Sequence, residues 1–195
     1  KGILYRKNGK TVFTGAAGPI EEVDSIPFPA RHLLKLDKYR IGTLRGRKVF
    51  ATIMATRGCP FECIFCSTRV FGNRIRERSP QSVIGEIKSV ISKYGIRHFI
   101  FLDDTLTLNR NFCLQICSMI EEEKLRITFE GSTRADLVDE ELVSAMAKNG
   151  LIRISFGLET ANLRIRKIIK KHVPLESYSR ANKITNKYGI ETLNS

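Results

Sequence analysis

At 195 residues, with 42% hydrophobic and 27% charged content, the chain is long enough for one globular domain with a sizeable core. No apolar run reaches membrane-spanning length, no signal peptide opens the chain and five cysteines is an odd number, which excludes a membrane span and a secreted disulfide scaffold and points to the cytoplasm. The net charge of +13 does not make the whole chain a nucleic-acid binder, because residues 51–163 hold 14 basic and 14 acidic residues and the surplus lies in the flanks.

Residues 1–18 read as a short hairpin, with strand-like runs Ile3–Tyr5 and Thr11–Thr14 around the turn signal Asn8-Gly9. Residues 19–46, with Pro19, Pro27 and Pro29, show no sustained period and read as a connecting segment, so the chain divides at 46/47 into a hairpin with linker and a core. From Val49 the pattern changes to short β-branched runs, each followed by a helical one. Val49–Ala55 is a buried-strand candidate that ends at a cysteine-rich loop. A helix follows, with Ser79 as N-cap, Pro80 at its first position and Gly95 as its stop, and Val83, Ile84, Ile87, Val90 and Ile91 share its apolar face.

His98–Leu102 is the second strand, and Asn109 can cap the helix carrying Phe112, Cys113, Ile116 and Ile120. Ile127–Glu130 is the third strand, followed by Gly131-Ser-Thr-Arg134 and a helix opened by Asp139 and closed by Asn149-Gly150. Leu151–Phe156 is the fourth strand, helical stretches follow at 163–169 and 175–187, and Ile190–Leu193 begins a fifth strand. Strands and helices alternating at this spacing predict βα units and a parallel sheet. The chain begins at Lys1 without Met and stops as that last strand starts, so it reads as a fragment.

The chemistry is concentrated between strands and helices. Cys59, Cys63 and Cys66 stand in a C-x3-C-x2-C arrangement, and three clustered thiolates with no fourth in step can hold a cuboidal iron–sulfur cluster with one iron left open. A structural zinc site would want four ligands, and no second Cys or His pair follows at a suitable spacing. Asp103-Asp104, Ser132 with Arg134, and Glu159 lie just past the ends of successive strands, where ligands gather in parallel α/β folds. Cys113 and Cys117, four apart on a helix, read as buried and inert. The basic run Arg164, Arg166, Lys167, Lys170 and Lys171 reads as a solvated helix face as readily as a phosphate-tracking surface, so RNA is not a favoured partner.

The run Arg57-Gly-Cys59-Pro-Phe-Glu-Cys63-Ile-Phe65-Cys66 resembles the cluster loop of the radical S-adenosylmethionine (SAM) superfamily, and Ser79–Ile87, Phe101–Thr105, Ser132–Asp136 and Ser155–Thr160 resemble successive segments of its barrel. Ile26-Pro-Phe-Pro-Ala-Arg-His-Leu-Leu34 is similar to the linker of the branch with an upstream cobalamin-binding domain. The resemblance implies a partial (β/α)6 TIM-like barrel over 47–195, a 4Fe-4S cluster on the three cysteines, and SAM cleaved to a 5'-deoxyadenosyl radical. It also implies cobalamin on a domain outside this chain, a small-molecule substrate, an electron donor such as flavodoxin or ferredoxin, and methyl transfer as the reaction. By the same resemblance the Phe65 backbone meets the adenine, Asp103 or Asp104 with Glu159 holds the SAM ammonium or ribose, Ser132 lies with them, and Arg134 pairs with the SAM carboxylate unless it bridges to Asp136. The Asp103-Asp104 pair departs from the Gly-Gly-Glu often found at that place. Two other readings stay open: a methylthiotransferase acting on tRNA or protein, and a non-catalytic zinc or redox module.

Overall fold

The computed structural model describes residues 1–67 and 70–195. Its centre is a five-stranded parallel sheet in the order β11-β10-β9-β8-β5, formed by β5 (Ala51–Ile53), β8 (His98–Phe101), β9 (Thr128–Thr133), β10 (Leu151–Phe156) and β11 (Glu191–Asn194). Helices α1 (Pro80–Tyr94), α2 (Arg110–Glu122), α3 (Glu140–Lys148), α4 (Leu163–Ile168) and α5 (Leu175–Lys187) alternate with these strands, as the sequence pattern predicts. The caps act as read: Ser79 Oγ accepts from the Ser82 N–H at 3.1 Å, Asn109 Oδ1 from Phe112 at 3.1 Å and Asp139 Oδ1 from Leu142 at 2.8 Å.

Side chains alternate across a strand, and here the alternation separates two environments. Phe99, Phe101, Phe129, Ile154 and Phe156 face the helices and join Val83, Ile87, Val90, Leu142 and Val143 in one core. Phe101 and Phe129 meet edge to face at 5.5 Å. The other face is polar. Glu130 accepts from Arg153 at 2.8 Å and bonds His98 at 2.9 Å, while Arg153 also donates to Gly42 O at 2.5 Å. This buried network ties the sheet to a hairpin, β3 (Arg40–Thr43) with β4 (Gly46–Val49), at the amino ends of the strands.

The first strand of that hairpin lies within residues 19–46, the segment read as connecting. The segment also holds 3-10 turns at Val23–Ser25, Arg31–Leu33 and Leu36–Lys38, and the 46/47 division falls inside the hairpin. The first hairpin, β1 (Leu4–Lys7) with β2 (Lys10–Phe13), is as expected. The expected strand 49–55 is broken, because Asp103 takes the Ala55 and Thr56 N–H groups and pulls the chain out of the ladder after Ile53. The third strand instead runs on to Thr133. Gly131 continues it because the strand packs so closely on Leu106 and Phe101 that an added Cβ would stand 2.7 Å from the Leu106 side chain.

Candidate functional site

The cysteine loop leaves the sheet through β6 (Thr56–Arg57) and returns through β7 (Arg76–Glu77), and the two short strands pair antiparallel as its stem. Gly58 opens the loop at φ +93, and a Cβ there would collide with the Arg74 carbonyl. The Gly58 N–H donates to Asp104 Oδ2 at 3.0 Å, and the Cys59 N–H to Gly72 O at 3.3 Å. Cys59 is buried with its sulfur 3.5 Å from Thr105 Oγ1, Cys63 is half-buried, and Cys66 is exposed. A turn bond from the Cys66 N–H to Cys63 O at 3.1 Å folds the two together, and the Ile64 N–H donates to Ile169 O beyond α4 at 3.1 Å.

All three cysteines line one cleft of about 220 Å³ at the carboxyl ends of the strands, together with Phe65, Asp104, Ser132, Arg134 and Glu159. Strand period and strand ends thus bring these residues to one place. Asp103 lies beneath that cleft, not in its wall: its carboxylate accepts from the Thr56 N–H at 2.6 Å, the Thr56 hydroxyl at 2.7 Å and the Ala55 N–H at 3.3 Å. Burial outweighs those bonds and pushes the Asp103 carboxyl up to about 6. Ser132 is an exposed residue within β9.

Arg134 is committed on two sides. Its guanidinium grips Asp136 through both carboxylate oxygens, at 3.0 and 2.7 Å, and lies 3.5 Å over the Phe61 ring. Glu159 holds the left-handed conformation at φ +63, a strained choice for a residue with a side chain, and its N–H donates to Ser195 O at 2.7 Å.

The sequence reading missed Lys171. It belongs to the basic run that reads as a solvated face or a phosphate-tracking surface, yet it is only 9% exposed, lines the cleft, and stands 3.6 Å from Glu159 Oε1 and 5.9 Å from the Phe65 ring. Arg166, from the same run, is 4% exposed and donates to Leu158 O at 3.0 Å, Thr160 O at 2.8 Å and Val173 O, so it clamps the loop that presents Glu159. Neither residue carries a local signal in the sequence beyond the apolar Val173 and Pro174 that follow. Cys113 and Cys117 are buried in the core, where desolvation pushes both thiols up to about 12, and Cys113 donates to Leu106 O at 3.1 Å.

The donor set fits an iron–sulfur cluster. Among the described residues no three His, Cys, Asp or Glu side chains converge closely enough to hold one ion as they stand. A cuboidal cluster places each thiolate on a separate iron, so its ligands are spread around a corner instead of meeting at a point. Burial raises the Cys63 thiol, and the nearby charges of Lys171 and Arg134 oppose that rise without cancelling it.

Comparison with known proteins gives a family and a fold. A profile of the Radical SAM superfamily matches residues 53–195. An uncharacterized methyltransferase of Pyrococcus horikoshii is 36% identical over 195 residues, covering 100% of this chain and 42% of that protein. The anaerobic magnesium-protoporphyrin IX monomethyl ester cyclase of Rubrivivax gelatinosus is 32% identical over 194 residues, covering 98% and 34%. Among solved structures, the cobalamin-dependent S-adenosylmethionine radical enzyme OxsB, with aqua-cobalamin and S-adenosylmethionine bound, superposes with a TM-score of 0.79 at 20% identity, over 99% of this chain and 29% of that one. The chain therefore spans less than half the length of each. Among the described residues no helix is long and apolar enough to cross a membrane.

Proposed function

Because the chain belongs to the radical SAM superfamily, we propose that Cys59, Cys63 and Cys66 hold a 4Fe-4S cluster and that the cleft beside them binds SAM. The single observation that carries this is the cleft itself, which gathers the three cysteines with Phe65, Asp104, Arg134, Glu159 and Lys171 at the carboxyl ends of one parallel sheet. When bound, the cluster supplies one electron and SAM the sulfonium it splits, giving methionine and a 5'-deoxyadenosyl radical.

The chain's own residues bind and orient. Glu159 offers a carboxylate to the SAM ammonium or ribose, with Asp104 and Ser132 on the same wall, and the Phe65 backbone meets the adenine. Arg134 keeps its place as a cation at the carboxylate end. Asp136 takes its Nε–H and one Nη N–H, however, so Lys171, whose Nζ makes no hydrogen bond to a described residue and stands 3.6 Å from Glu159, adds to that role. Asp103 acts from below, fixing the Ala55 and Thr56 backbone from which the cysteine loop departs. Phe61 and Phe65 give the cleft its aromatic lining.

For the whole protein we propose a cobalamin-dependent methyltransferase acting on a small molecule in the cytoplasm, fed by a flavodoxin- or ferredoxin-type donor. Cobalamin would be held outside these 195 residues. The relative from Pyrococcus horikoshii supports methyl transfer; the cyclase from Rubrivivax gelatinosus favours a second reading, ring closure by the same radical. The family match speaks against a zinc module, and the two relatives fit methyl transfer or ring closure better than a methylthiotransferase.

The test is anaerobic reconstitution of wild type and Cys63→Ala. Wild type should gain the broad absorbance at about 400 nm of this cluster type and cleave SAM reductively, and the variant should lose both. Stoichiometric zinc with no brown colour in wild type, or intact cleavage in the variant, overturns the assignment.

A further inference from the structure

The return limb of the cysteine loop carries arginine at every second position, Arg74, Arg76 and Arg78. In an extended chain that spacing sends the three side chains to one side. All three meet the segment 20–31. Arg74 pairs with Glu21 in a contact exposed on both sides, which holds little. Arg78, 8% exposed, shares one buried carboxylate, Glu86 of α1, with Arg31, and lies 5.4 Å over the Phe28 ring.

Arg76 is the connecting member. It is 9% exposed and donates one N–H to Ile20 O at 2.6 Å and another to Phe71 O. One guanidinium therefore spans from the 20–31 segment to the cysteine loop itself. The next carbonyl along, that of Gly72, accepts the Cys59 N–H, and Arg76 is the register partner of Arg57 in the stem. A shift of the 20–31 segment is thus carried through one rigid, planar group to the backbone that holds Cys59. Two orphan carbonyls could each have been satisfied separately; here one buried cation satisfies both, and neither can move without straining the other.

We propose that Arg76 is a positioning residue for the cysteine loop, through which the segment 20–31 sets where Cys59 stands. This rests on the reading of the cysteines as cluster ligands, but the decisive test does not need the cluster. Arg31 is the useful control, because it grips Thr52 O and Glu86 from the 20–31 side and hydrogen-bonds no described residue of the cysteine loop.

The experiment is amide hydrogen exchange by mass spectrometry on the metal-free chain, comparing wild type with Arg76→Met, Arg76→Lys and Arg31→Met. Loss of one charge-assisted bridge should speed exchange across 58–67 by roughly tenfold in Arg76→Met. A smaller rise is expected in Arg76→Lys, which can reach only one carbonyl at a time, and a rise at the same peptide in Arg31→Met, with α3 and β10 unchanged throughout. Unchanged exchange at 58–67 in Arg76→Met and Arg31→Met overturns the proposal, and so does an equal rise in α3 and β10, which would make these residues merely structural. After anaerobic reconstitution, Arg76→Met should keep its iron and show shifted g-values for the reduced cluster. A wild type that takes up no iron removes the cluster reading, while the exchange data still decide the positioning role.

Discussion

Replacing Asp103 with Asn should change how the stability of the fold depends on pH, and the structure sets the size of the change. The carboxylate accepts three hydrogen bonds from Ala55 and Thr56, yet burial dominates and lifts its pKa from 3.8 to about 6. At about 1.4 kcal/mol per unit, holding Asp103 ionised inside the fold costs about 3 kcal/mol relative to the unfolded chain. The folded pKa is raised, so between 3.8 and about 6 the folded state binds the extra proton. The associated stability is fully present below the lower value and is lost as pH rises through the upper one. Asn does not titrate, and whatever its amide costs against the Ala55 N–H is the same at every pH. Urea unfolding of the metal-free chain at a series of pH values, followed by circular dichroism, should therefore show the stability difference moving in favour of Asn by about 3 kcal/mol between about pH 4 and pH 7. Parallel pH profiles for the two proteins would refute the reasoning, since they would mean that Asp103 ionises as freely inside the fold as outside it.

Lys171→Met should weaken SAM binding by about tenfold, the loss of one charge-assisted contact, with iron content unchanged; loss of iron would instead make Lys171 a support of the cysteine loop. Gly58→Ala should destabilise the chain by about 1–3 kcal/mol in denaturant unfolding and reduce iron uptake, because its φ of +93 and the Arg74 carbonyl leave no room for a methyl group. Unaltered stability in that variant would mean that the loop has a second conformation of equal energy.

What the sequence reveals about this fold follows from how local each signal is. Ser79, Asn109 and Asp139 announce α1, α2 and α3 because a cap bonds a backbone N–H three residues on, and nothing distant has to cooperate. The β3–β4 hairpin has no such signal: Arg40–Thr43 and Gly46–Val49 carry one branched apolar residue each, Ile41 and Val49, on opposite faces, and the hairpin is anchored at long range, by Arg153 on Gly42 O and Arg45 on Gly189 O at 3.3 Å. The site divides in the same way. Cys59, Cys63 and Cys66 are legible because their chemistry is in their spacing, and Asp104 and Glu159 because they follow strands.

Arg166 and Lys171 mark where that legibility stops, and the reason is physical. A cation can be buried only where acceptors or an opposite charge await it. For Arg166 those acceptors are the carbonyls of Leu158, Thr160 and Val173, none of which is committed to a helix or sheet ladder; for Lys171 it is Glu159, which reaches it only because its backbone is held at positive φ. Arg164 and Lys167, in the same basic run, stay exposed on α4. Burial in this run is therefore decided by where the β10–α4 loop leaves its spare carbonyls, a property of the assembled rim. The same condition selects Arg76 and Arg78 on the other side of the cysteine loop, where Ile20, Phe71 and Glu86 supply the acceptors. In both places the buried cations lie beside the loop that carries the three thiols, held mainly by carbonyls and carboxylates of the segments flanking that loop, with the Phe71 carbonyl the acceptor it contributes itself.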